Sequence, residues 1–311
     1  MSSLSRITGK GVAQGLAHPT DGAFHFAGIR LISAAAALEK RILFPLMANM
    51  KLLLPTRRDI PASTFRRFAD SVLNLFYPDA CLVCAHPISR AQDCGVCVRC
   101  WEKALQQRIV GPSCPSCGLP YRTFASELVH LCGRCMISPP RFSGARAFGW
   151  YGAELSGMIR ALKFGGRRDL VELLAPLLAS TLLECWDVTE IDLVVPVPLH
   201  PERQRERGYN QAALLGASLA RLIGRPFKER TLSRVRNTQP QVGLSDSERS
   251  SNLRHAFRCA LPAVAHGARV LLVDDVMTTG STAESASEAL LEGGALRVSV
   301  LTVARAVVGV E

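Results

Sequence analysis

One stretch constrains the fold of this chain more than any other: residues 269–282, which read RVLLVDDVMTTGST. A short apolar run ends in two adjacent carboxylates, Asp274 and Asp275, and a hydroxyl-rich turn with one glycine follows before a helix-like segment. This order is typical of a buried parallel strand that leads into a phosphate-binding turn, where backbone N–H groups and the start of the next helix hold the anion. Because like charges repel, we expect the carboxylates to face sugar hydroxyls or a Mg²⁺ ion instead. The plainer alternative is a Ser/Thr-rich helix cap that follows a strand.

Strand-like and helix-like segments alternate in the C-terminal part of the chain. We predict strands over residues 145–151, 191–195, 270–273 and 298–303, and helices over residues 154–163, 170–184, 212–222 and 282–291. This alternation predicts an α/β fold, a doubly wound parallel sheet with helices on both faces. Ligands of such sheets bind beyond the carboxyl ends of the strands. Both the acid doublet and a Pro-Val-Pro corner at residues 196–198 lie at such ends.

Eight of the cysteines form four Cys-x-x-Cys pairs. Each pair suits half of a tetrahedral zinc site, and the spacing between pairs suits zinc ribbons. Cys94 leaves one pairing open, because either Cys94 or Cys100 could partner Cys97; the more even spacing favours Cys100. We therefore expect one or two structural Zn²⁺ ions rather than a catalytic one, with iron–sulfur ligation as an alternative. The expected ligands are Cys81, Cys84, Cys97, Cys100, Cys114, Cys117, Cys132 and Cys135.

Two further segments carry groups suited to phosphates. Several arginines follow the Pro-Val-Pro corner, and guanidinium groups hold pyrophosphate well; the alternative is the solvated start of a basic helix. Residues 234–257 form a long polar stretch with Arg234 and Arg249. Long polar stretches within α/β domains are often lids, although an ordinary surface loop or β-hairpin is the competing interpretation.

These motifs together resemble a known family. The stretch at residues 269–282 resembles the phosphoribosyl pyrophosphate (PRPP) motif of type I phosphoribosyltransferases. Over about residues 65–306 the chain is similar to the ComF family of competence-associated proteins. The matching positions are the cysteine pairs, residues 162–164, 195–198, 207–211, 274–275 and 278–282, and Arg234, Thr238, Gln241, Arg249, Asn252 and Phe257. Cys94 departs from the family pattern.

The resemblance implies a double zinc ribbon fused to a type I phosphoribosyltransferase sheet, a PRPP-dependent transferase (glycosyltransferase) that uses Mg²⁺, and a link to bacterial DNA uptake. It implies catalytic roles for Asp274 and Asp275. The implied 5′-phosphate ligands are Thr278, Thr279, Gly280, Ser281 and Thr282, and the implied pyrophosphate ligands are Val197, Pro198, Arg203 and Arg207. Other implied substrate contacts are Lys163, Tyr209, Asn210, Gln211, Arg234 and Arg249.

The acceptor of the transferred group is not identified by the sequence. Expected partners are PRPP or a related phosphoribosyl ligand, and also single-stranded DNA or DNA-processing proteins. The alternative is a non-catalytic adaptor that binds nucleic acid or protein through the zinc module and a basic surface.

Composition adds little to these motifs. The net charge of +11 is carried mostly by arginine, which favours phosphate-bearing partners, but codon bias in a GC-rich genome would give the same excess. No apolar run reaches the length of a membrane span and no signal peptide is visible, so we expect a cytoplasmic protein.

We divide the chain into a leader (1–60), disordered or a mis-assigned start, a helix plus zinc-ribbon domain (61–140) and a phosphoribosyltransferase-like domain (141–311).

Overall fold

The structure is a computed structural model that describes residues 80–88, 94–121, 130–236 and 256–306. The leader over residues 1–60 and most of the expected lid, including Arg249, lie outside the described residues. None of the helices in the described ranges has the length and apolar character needed to span a bilayer.

A four-stranded parallel sheet forms the centre of the fold. The described strands are β1 (Gly144–Trp150), β2 (Leu193–Pro196), β3 (Leu232–Arg234), β4 (Phe257–Cys259), β5 (Arg269–Met277) and β6 (Arg297–Arg305). The sheet order is β1-β6-β5-β2 with every pair parallel, while β3 and β4 form a separate antiparallel pair at the two ends of the expected lid. The predicted parallel α/β sheet is therefore confirmed.

Strand β5 is longer than predicted. The sequence suggested that it ends before the acid doublet, but Asp274 pairs with Thr302 of β6 and Met277 pairs with Arg305. The ladder continues because β6 runs alongside to its own end, so both carboxylates belong to the strand. Since successive side chains of a strand point to opposite faces, Asp274 and Asp275 diverge from one another.

Two of the described helices lie in the Cys-rich segment before β1, and the others follow β1 and include those that cover both faces of the sheet. The described helices are α1 (Val98–Gln106), α2 (Gly133–Ile137), α3 (Ala153–Phe164), α4 (Val171–Cys185), α5 (Pro201–Arg207), α6 (Gln211–Ile223), α7 (Pro262–Ala265) and α8 (Ser281–Glu292). Helix α6 shows why such boundaries form. The side chain of Asn210 accepts a hydrogen bond from the N–H of Ala212 at its start, and Gly224 adopts a left-handed conformation at its end.

Two apolar layers lie on the two faces of the sheet, and the alternation of β5 separates them. Leu271 and Val273 face one layer, which α3, α4 and α6 complete. Val270 and Leu272 face the other layer, which includes α8 and the pair β3–β4. Both layers contain cysteines of the four pairs, so each half of the Cys-rich segment shares a core with one face of the sheet.

The second half of the Cys-rich segment packs directly on the backbone of β1. The N–H of Ala145 donates to the carbonyl of Ser116 at 2.7 Å. Gly118 adopts φ +67°, and a Cβ atom there would lie 2.2 Å from the carbonyl oxygen of Ala145. Only glycine allows this close approach.

Candidate functional site

The eight predicted cysteines form two groups of four thiols. The first cysteine group is Cys81, Cys84, Cys97 and Cys100, and the second is Cys114, Cys117, Cys132 and Cys135, with the sulfur atoms of each group within 4.8 Å of one another. Cys100, and not Cys94, is therefore the fourth member of the first cysteine group. The Cys94 sulfur lies 3.9 Å from the carbonyl oxygen of Asp169. Four sulfur ligands around one point are the donor set of a structural zinc site.

Backbone amides favour the thiolate form of two of these thiols, whereas burial raises the pKa of Cys100, Cys117 and Cys135. Burial alone would raise the pKa of the Cys81 thiol, but backbone N–H groups, that of Cys97 foremost, outweigh burial and lower it to about 6. Amides act in the same way on Cys114 and lower its pKa to about 7 against the effect of burial. Because a metal binds the thiolate, groups that favour the thiolate also favour zinc. The donor set thus fits Zn²⁺.

A separate cleft lies at the carboxyl ends of the parallel strands, with a volume of about 480 Å³. Strand β5 contributes the acid doublet, the corner after β2 contributes Val197 and Pro198, and α3 and β3 contribute basic side chains. The predicted site residues that line it are Lys163, Val197, Pro198, Arg203, Gln211, Arg234, Asp274, Asp275, Thr278, Gly280 and Thr282. Sequence segments that lie far apart along the chain therefore meet in one place.

The two carboxylates of the doublet have different surroundings. Asp275 is buried, and its Oδ2 atom lies 2.6 Å from Nζ of Lys163 on α3. Asp274 is only partly buried, and the charges of both Lys163 and Arg234 act on it. Burial raises the pKa of Asp274 to about 6, although the charges of Lys163 and Arg234 act in the opposite direction. Asp274 is thus the carboxylate that is more open to a ligand.

The hydroxyl-rich turn joins β5 to the start of α8. Gly280 precedes the helix in a left-handed conformation with φ +88°, which leaves the first N–H groups of α8 directed out of the helix end. Thr278 and Thr282 line the cleft. The hydroxyl groups of Thr279 and Ser281 lie 2.9 Å apart and bond to one another, and both residues line a second cavity of about 370 Å³ beside the second cysteine group.

Basic side chains occupy the other walls of the cleft. Arg234 packs against the ring of Phe257 at 5.5 Å from its centroid. Burial lowers the pKa of Arg234 and also that of Lys163. Partly desolvated cations interact more strongly with anions than exposed ones do. The cleft therefore joins two carboxylates to a set of cations that a phosphorylated ligand could satisfy.

Besides Thr279 and Ser281, which line the other cavity, three predicted contacts among the described residues do not line the cleft. Arg207 lies over the ring of Phe164, with its guanidinium carbon 4.9 Å from the centroid. Tyr209 is buried and donates its hydroxyl to the carbonyl of Leu162. Asn210 donates to the carbonyl of Val197 at 3.0 Å. These side chains hold the Pro-Val-Pro corner and α3 in place around the cleft.

Sequence reasoning missed two residues beside this region. Tyr151, which follows β1, lines the cleft, and its position at the carboxyl end of a predicted strand was the available signal. Arg305 ends β6 and is buried, with 6% of its surface exposed. It gave no signal, because a single arginine after an apolar strand is usually exposed.

Comparison with known proteins places the chain in a family. A double zinc ribbon domain model matches residues 72–136. The DNA utilization protein YhgH of Salmonella typhimurium is 36% identical over 234 residues, which cover 74% of this chain and 99% of that protein. Competence protein F of Haemophilus influenzae is 34% identical over 235 residues, with the same two coverages. The chain belongs to the ComF family.

A more distant relative and a solved structure each match part of the chain. Competence protein ComFC of Bacillus subtilis is 29% identical over 220 residues, 68% of this chain and 84% of that protein. The glutamine PRPP amidotransferase structure from B. subtilis aligns with 47% of this chain and 30% of its own, at 21% identity and a TM-score of 0.33. At that score the alignment adds nothing to the family relationship, which depends on the sequence relatives.

Proposed function

We propose that this ComF protein binds PRPP or a related phosphoribosyl ligand and transfers its phosphoribosyl group to an acceptor. One observation carries the proposal: the acid doublet, the turn before α8 and three cationic side chains line a single cleft at the carboxyl ends of the sheet. A phosphoribosyl ligand has one group for each of these parts, namely sugar hydroxyls, a 5′-phosphate and a pyrophosphate.

The 5′-phosphate is assigned to the turn. The N–H groups at the start of α8 and the hydroxyls of Thr278 and Thr282 are its donors, and the helix dipole favours an anion at this end. Gly280 lets the backbone bend toward the phosphate without a side chain in the way. Thr279 and Ser281, which bond to each other, stabilise the turn from the other side.

The ribose hydroxyls are assigned to the acid doublet. Asp274 is the more open carboxylate and accepts from the hydroxyls, while the Lys163–Asp275 pair fixes the orientation of α3 against β5. Carboxylate and pyrophosphate oxygens are ligands that Mg²⁺ prefers. When bound, that ion would neutralise charge on the pyrophosphate, and Asp274 is the residue placed to hold it directly or through water.

The pyrophosphate is assigned to the corner after β2. Arg203 and Arg234 face the cleft from two sides, and Asn210 fixes the carbonyl of Val197. During transfer an acceptor atom uses its lone pair to form a bond to C1 of the ribose, the bond between C1 and the pyrophosphate oxygen breaks, and the leaving group keeps that electron pair. Cations already in position stabilise that charge, and positioning supplies most of the remaining rate enhancement.

Calorimetry with Mg²⁺-PRPP on the zinc-loaded protein tests binding. We expect saturable binding that Asp274→Asn weakens by about tenfold or more, because it removes the carboxylate assigned to the ribose hydroxyls, and a loss of roughly 1.4 kcal/mol is tenfold in affinity. Asp187→Asn, at an exposed helix cap far along the chain from the doublet, is the matched control and should bind as the wild type does. A folded, zinc-loaded protein that does not bind PRPP would refute the proposal.

A screen for release of pyrophosphate from PRPP then tests transfer. Pooled nucleobases, amines and single-stranded oligonucleotides serve as acceptors, because the described residues do not select among them. Release that depends on one pool and disappears in Asp274→Asn would identify the acceptor class.

A second candidate function is an adaptor for single-stranded nucleic acid. The specific observation is Phe164, whose side chain is 75% exposed next to the cleft with Arg207 over its ring. An exposed aromatic ring beside a cation suits base stacking. Fluorescence anisotropy with a labelled oligonucleotide at several salt concentrations would show a steep salt slope. Binding lost in Phe164→Ala, together with no PRPP binding, would favour the adaptor.

A further inference from the structure

Arg305 lies between the second cysteine group and the turn before α8. It is buried at the end of β6, and its Nη1 atom donates to the carbonyl of Cys117, a member of that group. The same Nη1 atom lies 3.5 Å from the sulfur of Met277 at the end of β5. A buried guanidinium is costly unless it is paired. The charges that act on it include those of the Cys117, Cys132 and Cys135 thiolates and of the Arg134 guanidinium.

Met277 links Arg305 to the turn. It pairs with Arg305 in the β5–β6 register, and the N–H of Ala306 donates to its carbonyl at 2.9 Å. Its methyl group lies under Gly280, because a Cβ atom at Gly280 would be only 2.7 Å from Cε of Met277. The position of the Met277 side chain therefore sets the space that the turn can occupy.

We infer that Arg305 is a positioning residue through which the second cysteine group fixes the phosphate-binding turn. The inference rests on the proposed function, since it assigns that turn to the 5′-phosphate. Four thiolates and one Zn²⁺ carry a formal charge of −2, which supplies the counter-charge that the buried guanidinium needs. Zinc bound there would also hold the Cys117 loop in one conformation, and with it the carbonyl to which Arg305 donates.

Only a short path separates the second cysteine group from the turn. From the Cys117 carbonyl to Gly280 the path passes through two side chains, Arg305 and Met277, both less than a tenth exposed. Packed interiors do not deform continuously, so a displaced guanidinium has to move Met277 or leave a void beneath the turn. The second cysteine group thereby acts on the phosphate-binding turn through these two side chains.

Arg305→Met tests the inference, with Arg297→Met as the matched control. Arg297 lies at the opposite end of the same strand, where it is paired with Glu190 at 2.7 Å on the exposed surface. For Arg305→Met we expect two zinc ions per chain, about tenfold faster hydrogen exchange of the amides at residues 278–282 and about tenfold weaker PRPP binding. Arg297→Met should match the wild type in all three. Unchanged exchange in Arg305→Met would overturn the inference.

Cys135→Ser completes a double-mutant cycle. We expect it to lose one zinc ion and to raise exchange at residues 278–282 as Arg305→Met does, and the double variant to show no further increase. Additive effects would mean that the zinc site and Arg305 act separately, which would also overturn the inference. Should Arg305→Met fail to fold, Arg305→Lys keeps the charge without the planar fork and should raise exchange by a smaller factor.

The exchange measurement separates this inference from the proposed function, because it needs no ligand. If the wild type does not bind PRPP but the exchange cycle behaves as expected, the proposed function fails and the positioning role of Arg305 stands. If PRPP binds equally to the wild type and Arg305→Met with the same exchange rates, the positioning role fails and the proposed function stands.

Discussion

Asp274 is expected to destabilise the folded protein at neutral pH, and Asp274→Asn to relieve that cost. Burial raises the pKa of this carboxyl from 3.8 to about 6. A carboxyl whose pKa is higher in the folded state binds more protons there than in the unfolded state. Stability therefore falls as the pH rises from the unfolded pKa to the folded one, and is constant above it.

The size of the effect follows from the shift. Each pKa unit is worth about 1.36 kcal/mol, so ionised Asp274 costs up to about 3 kcal/mol, of which roughly 1.4 kcal/mol develops between pH 5 and pH 8. Asparagine stays neutral at every pH. The free energy of unfolding of Asp274→Asn should accordingly exceed that of the wild type by an amount that grows over this range.

Urea denaturation at pH 5 and pH 8, with zinc present throughout, measures the difference. Asp192→Asn is the control with the opposite sign, because hydrogen bonds from Arg269 hold the pKa of Asp192 below its usual value. That variant should be less stable than the wild type at both pH values. The reasoning would be refuted if the difference in free energy of unfolding between Asp274→Asn and the wild type were the same at both pH values. It would also be refuted if the wild type were the more stable protein.

Three further outcomes are expected. Lys163→Met should lower the free energy of unfolding by about 3 kcal/mol in denaturant titrations, because it leaves the buried Asp275 carboxylate unpaired; no loss of stability would mean that the pair is not formed. Gly118→Ala should destabilise by several kcal/mol and lower the melting temperature, because its Cβ would meet the carbonyl of Ala145 at 2.2 Å; an unchanged melting temperature would contradict the close packing. Elemental analysis should give two zinc ions in the wild type and one in Cys135→Ser, and none in the wild type would contradict zinc binding by either cysteine group.

Much of the fold was predictable because the local signals agree with the tertiary structure. The strands at residues 145–151 and 298–303 and the helix at residues 282–291 were each placed within two residues of their observed ends. Apolar runs bounded by glycine and polar residues specify such elements locally. The cysteine pairs were predictable for the same reason, since a Cys-x-x-Cys turn directs both thiols to one point.

Pairing across the sheet was not predictable in the same way. The sequence ended β5 before Asp274, because two adjacent carboxylates are poor strand residues, but the ladder with β6 extends the strand. The Lys163–Asp275 pair joins residues from two distant segments and has no local signature. Arg207, Tyr209 and Asn210 were expected to contact substrate; their contacts with Phe164, Leu162 and Val197 join distant segments and have no local signature in the sequence.

The tight contact between the first zinc ribbon and α3 has a consequence for how this chain can change. Cβ of an alanine at Gly157 would lie 3.3 Å from Cγ2 of Val83, and the ribbon's Cys97 and Cys100 share a core with Leu155 and Leu162. A truncated protein that begins after the ribbons would expose this apolar helix face to water and tend to aggregate. A related protein without the ribbons would need polar residues on this face of α3. We therefore expect that evolution rarely exchanges or removes the ribbons by recombination between them and α3.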